Sequence, residues 1–154
     1  MNSMPADASV EIRKGTEAEP YVGKPLTVTD FVRYQGASGD FNPLHHDHDK
    51  AVAAGFDRPF AVGMLAAGVL GGFAARWLGP HAIRRFRVRF AEQAWPGDVL
   101  TYAGVVTDVR EGPAEGRREV DAEFTVTRQT GGVHLRGWAT FVFGDTGSTG
   151  REGR

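Results

Sequence analysis

Between Pro59 and Ala75 the chain carries no charged residue, and at Arg85 its hydrophobic period switches from helical to two. This pairing limits the available folds more than any other feature. The uncharged run, Pro59-Phe60-Ala61-Val62-Gly63-Met64-Leu65 and onward to Gly71-Gly72-Phe73-Ala74-Ala75, approaches the length of a membrane span. Four glycines, at 63, 68, 71 and 72, keep it only moderately hydrophobic. A core helix that is apolar all round suits it better than a span, and its small residues would let a sheet pack closely around it.

After the helix, Arg85-Phe86-Arg87-Val88-Arg89-Phe90 puts Phe86, Val88 and Phe90 on one face and three arginines on the other, the pattern of a half-buried strand. Pro96-Gly97-Asp98 reads as a turn, residues 99–109 as a second strand and 112–116 as a loop. Residues 119–127 form a third strand with Val120, Ala122, Phe124 and Val126 on one face. Gly131-Gly132 turns the chain into a fourth strand over 133–143. Short connections imply antiparallel neighbours. Upstream, Thr29 is placed as the N-cap of a short helix through Asp30–Tyr34, and Asp47 as the cap of another that stops at Gly55. The expected class is α+β: one long buried helix wrapped by a curved antiparallel sheet. One folded domain is expected over 21–143, with a flexible arm at 1–20 and a disordered tail at 144–154.

Composition excludes several functions. The chain has 154 residues and no cysteine, so disulfides, thiolate catalysis and cysteine metal sites are ruled out. A formal net charge of -1 offers no field for nucleic acid or a membrane surface. Met1–Lys14 holds no apolar stretch resembling a signal peptide, and a cytoplasmic location is expected.

Chemistry concentrates in Ser38-Gly39-Asp40-Phe41-Asn42-Pro43-Leu44-His45-His46-Asp47-His48-Asp49, which holds three of the five histidines. Three readings compete. Asp40 and His45, five apart across a proline turn, can converge as an acid–base pair. The three histidines with Asp47 and Asp49 offer metal ligands, though without the spacing of a helical zinc motif. A solvated polar turn is the plainest reading, and it is adopted for His46, His48 and Asp49.

The segment Ser38 to His45 resembles the signature of the MaoC-like dehydratases, which include the (R)-specific enoyl-CoA hydratases. Arg58-Pro59-Phe60-Ala61-Val62-Gly63-Met64-Leu65 is similar to the family segment that opens the hot-dog helix, and Phe90–Asp98 to its strand and turn. The resemblance covers about residues 22–143. It implies a hot-dog fold and reversible addition of water to a trans-2-enoyl thioester, giving a (R)-3-hydroxyacyl thioester. Asp40 and His45 would be the catalytic dyad. Gly63 and Asn42 would serve oxyanion or substrate binding. No metal or redox cofactor is implied; coenzyme A or an acyl-carrier pantetheine would belong to the substrate. The chain departs from many relatives at Val62, where they have His, and from some hydratases at Gly71, where they have Ser.

The implied partners are a small acyl thioester and a second hot-dog subunit, identical or not. Two other functions remain open: a hot-dog thioesterase, and a half-active or non-catalytic subunit of a heteromer. Arg84, Arg85, Arg87 and Arg89 offer contacts to phosphate, or simply a solvated strand face.

Overall fold

A computed structural model describes residues 11–112 and 114–144. The first short helix, α1, spans Val28–Ser38 and starts earlier than expected. Its cap is Thr27, not Thr29, because Thr27 and Asp30 form a reciprocal capping box. Asp30 N–H donates to Thr27 Oγ1 at 3.1 Å, and Thr27 N–H to an Asp30 carboxylate oxygen at 3.0 Å. The bonding holds the Asp30 carboxyl below its ordinary pKa, the Thr27 hydroxyl being the largest cause. Gly39, in the left-handed region at φ 74°, ends the helix. A single 3₁₀ turn over Pro43–His45 follows, then α2 at His48–Ala53, capped by Asp47 as expected.

The long helix α3 covers Gly63–Leu78. It begins four residues after Pro59 and continues past Arg76, since one arginine reaching solvent at its end is compatible with a buried stripe. No helix among the described residues is long and apolar enough to cross a membrane.

Strands β1 (Tyr21–Val22), β2 (Ile83–Phe90), β3 (Leu100–Glu111), β4 (Arg117–Arg128) and β5 (Val133–Gly144) form one antiparallel sheet in the order β1-β3-β4-β5-β2. The sheet wraps α3. Ala66, Ala67, Leu70, Phe73 and Ala74 of the helix meet Val106, Val120, Phe124, Val126, Leu135 and Phe141 of the strands. The close approach uses glycines on the sheet as well as on the helix. A Cβ on Gly137 would stand 2.7 Å from Leu70, and one on Gly104 would stand 2.8 Å from the Phe124 ring. Gly68, by contrast, faces open space.

The expected arm at 1–20 falls partly outside the described residues. Its remainder lies along β3: Gly15 N–H donates to Val106 O at 2.8 Å and Ala18 N–H to Gly104 O at 2.9 Å. A long strand such as β3 leaves backbone groups bare beyond the two residues of β1, and residues 15–18 satisfy some of them. The tail expected at 144–154 starts with the last residue of β5, and 145–154 lie outside the described residues.

Candidate active site

The polar turn is built from short-range bonds that the sequence dictates. Asn42 caps the 3₁₀ turn, its side-chain oxygen accepting from Leu44 N–H at 3.1 Å. Asp40 Oδ1 accepts from Asn42 N–H at 3.2 Å. Gln35, only 2% exposed on α1, clamps the turn from below. Its amide Nε2 donates to Asn42 O at 2.9 Å, and its Oε1 lies 2.9 Å from His46 Nδ1. His46 is therefore spent on structure, as is Asp47 at the start of α2. Among the described residues, no three His, Asp or Glu side chains gather as a metal site.

His45 is 7% exposed, with Nδ1 2.8 Å from Phe60 O. A carbonyl oxygen can only accept, so Nδ1 carries a proton, and in the neutral form of the ring Nε2 is the acceptor. The Phe60 ring supports the imidazole edge-on, with centroids 4.9 Å apart, and itself rests against Phe56 and Trp95.

Asp40 and His45 line one cavity of about 400 Å³ together with Val62, Gly63, Phe90 and His134. Gly63 is the first residue of α3, and Val62 before it supplies no side-chain cap. Leu65 N–H donates to Val62 O at 2.9 Å, while the N–H groups of Gly63 and Met64 precede any carbonyl of the helix that could accept from them and mark its positive end. The Phe90 ring covers the spot: a Cβ on Gly63 would lie 2.8 Å from it. Asn42 does not line the cavity; its side chain is occupied with capping, so it shapes the turn between Asp40 and His45. The arginines stand elsewhere. Arg84, Arg85 and Arg87 border a separate concavity of about 540 Å³ on the sheet, beside Arg110 and its acidic partners Asp108, Glu119 and Asp121.

Sequence reasoning missed Gln35, Phe90 and above all His134. His134 sits at a β-bulge. Leu135 pairs with Val126 and Val133 with Thr127, which leaves His134 as the extra residue of β5. It is 2% exposed. Its Nδ1 lies 2.6 Å from Glu92 O, and its own carbonyl accepts from Ala91 N–H at 3.0 Å. Burial pushes its pKa down, aided by the charge of Arg128 and opposed by the Glu92 bond and by Asp98. The ring is thus held neutral with its proton on Nδ1.

With this geometry in hand, three similarities bear on the chain. It is 35% identical over 77 residues to the 3-oxo-4,17-pregnadiene-20-carboxyl-CoA hydratase beta subunit of Mycobacterium tuberculosis, a match covering 49% of this chain and 60% of that protein. The (R)-hydratase from A. caviae involved in PHA biosynthesis superposes with a TM-score of 0.70 at 26% identity, over 89% of this chain and 98% of that one. The unliganded R-hydratase PhaJ1 from Pseudomonas aeruginosa gives a TM-score of 0.69 at 26% identity, over 85% and 81% respectively. The chain spans at most 60% of the length of the curated relatives it matches. A family model for the MaoC like domain matches residues 10–128. The polar turn, the buried helix and the curved sheet are thus those of a hot-dog fold, and the chain belongs to the MaoC-like dehydratase family.

Proposed function

We propose that the chain hydrates a trans-2-enoyl thioester of coenzyme A or an acyl-carrier protein, reversibly, to the (R)-3-hydroxyacyl thioester. One observation carries the reading: Asp40, the buried His45 and the first turn of α3 all line the same cavity. A water held between the carboxylate and His45 Nε2 gives up a proton to one of these two groups as its oxygen bonds to the β-carbon. The electron pair of the broken π bond moves toward the thioester, and a proton is delivered to the α-carbon. The charge that builds on the thioester oxygen meets the Gly63 N–H, a donor at the start of α3 backed by the helix dipole. With no side chain of its own, Gly63 lets the carbonyl approach the backbone. No metal or redox cofactor enters this chemistry. Two copies of the chain would pair along their sheets.

Turnover of crotonyl-CoA and longer enoyl-CoA esters by the purified chain tests the proposal. Loss of the enoyl absorbance without release of free thiol is the expected result, whereas thiol release would replace the hydratase with a thioesterase. A second reading follows from one similarity, since the mycobacterial relative is a beta subunit. If the chain alone is inactive and gains turnover only with a second hot-dog protein, it is half of a heteromer.

A further inference from the structure

We propose that His134 Nε2 is a recognition atom, accepting a hydrogen bond from an N–H or O–H group of the thioester in the cavity of Asp40 and His45. The inference rests on the hydratase reading for the class of ligand. Its first support is position. The bulge in β5 puts His134 into the lining of that cavity, next to the core residue Leu135, in a strand that otherwise alternates between faces. Bulges that re-aim one side chain recur beside active sites. Its second support is chemistry. Nδ1 must donate to the Glu92 carbonyl, so Nε2 is an obligate acceptor. Nε2 is buried and has no partner among the described residues. Buried polar atoms are nearly always satisfied, and one left open on a residue that lines a ligand cavity calls for a group from the ligand. Burial and the nearby Arg128 charge both disfavour the imidazolium, so the atom stays an acceptor.

The chemistry of the substrate narrows the donor. A simple enoyl group has neither N–H nor O–H. A donor in the substrate must therefore come from the carrier arm, whose amides lie nearest the thioester, or, after hydration, from the new 3-hydroxyl. These two sources give different signatures. A rival for the lone pair also exists: Arg128 Nε is likewise buried without a partner among the described residues, and a trapped water could serve both atoms.

Calorimetric titration with butyryl-CoA and with (R)-3-hydroxybutyryl-CoA, on the wild type and two variants, decides the matter. His134→Asn keeps a donor where Nδ1 stands and removes Nε2; His134→Gln restores an acceptor near Nε2 and gives up the Glu92 bond. His134→Asn should melt close to wild type and bind about tenfold more weakly, the scale of one hydrogen bond. His134→Gln should recover part of that loss. Weakening of both ligands assigns a donor of the carrier arm, and weakening of the hydroxy ligand alone assigns the hydroxyl. Wild-type constants for both ligands in His134→Asn overturn the inference. In the wild-type protein, the imidazole nitrogen resonance of Nε2 should move when ligand binds. A resonance that stays put with ligand bound means the trapped water has the lone pair, and the inference fails even if the variants do not fold. Enoyl-CoA turnover by the wild type alongside unchanged binding in His134→Asn would sink this inference alone. A wild type that neither turns over nor binds a CoA thioester sinks the hydratase reading, and this inference with it.

Discussion

At the scale of single residues, the proposed chemistry asks different things of Asp40, His45 and Gly63. Asp40→Asn and His45→Ala should each lower kcat by at least about a hundredfold, the usual loss when an acid–base group goes. Circular dichroism should stay unchanged, and near-normal turnover in either variant removes the dyad. Gly63→Ala separates a backbone role from a packing role. The added Cβ would crowd the Phe90 ring, but that ring is 47% exposed and can swing outward. Melting temperature should therefore hold, helped by the better helix propensity of Ala, while kcat/KM falls by about a hundredfold. A destabilised variant with normal turnover per folded molecule would take Gly63 out of the active site. His134 makes a separate prediction through its lowered pKa. A histidine buried neutral binds a proton more readily when unfolded. Its contribution to stability is complete above the unfolded value of about 6.5 and is lost as pH falls below it. The wild-type melting temperature should drop between pH 7 and 5, and His134→Asn should flatten part of that drop. Parallel curves for the two proteins would contradict the assignment.

At the scale of elements, α1 matters because of what it delivers. Its capping box sets the helix start, and Gln35 at its far end braces the turn that carries the dyad. Thr27→Ala should cost about 1 kcal/mol of stability and leave kcat per folded molecule nearly intact. Gln35→Ala leaves both a carbonyl and a histidine of the turn without a partner. It should cost about 1–3 kcal/mol and also lower kcat, because the turn that positions His45 loses its support. Equal kcat in the two variants would mean the turn does not need the brace. The contrast also explains what could be read in advance. The 85–88 alternation, the strand faces of β4 and the Asp47 cap rest on local patterns, and they stand where local patterns put them, whereas Phe90, expected on the buried face, is exposed at the end of β2. Thr29 was one pattern too many: Thr27 has a carboxylate three residues on, and the reciprocal box wins. Gln35 and His134 acquire their roles through partners far along the chain. His134 further depends on a bulge that breaks the very alternation by which a strand is recognised.

At the scale of the whole molecule, β2 closes one end of the strand order, and Phe90 at its last position is large, apolar and half exposed. Met64 and Phe41, near the same cavity, are likewise exposed. An open strand edge beside apolar side chains invites a second sheet, and twofold pairing makes a homodimer the default for such a chain. Light scattering at micromolar concentration should return twice the mass of one chain. A clean monomer that is also inactive points instead to a different hot-dog partner.

Both imidazoles of the cavity are oriented by main-chain carbonyls, those of Phe60 and Glu92. Every amino acid carries a carbonyl. No substitution at position 60 or 92 can delete these acceptors unless the chain itself moves, so the proton-bearing nitrogen of each ring is insulated from mutational drift. The side chains at 60 and 92 can change without deleting either acceptor, although the Phe60 ring also supports the His45 imidazole and the Glu92 carboxylate pairs with Arg128. A library randomised at those two positions would explore new cavity shapes and new acyl groups while the tautomers stay fixed, which makes them good starting points for directed evolution of substrate range.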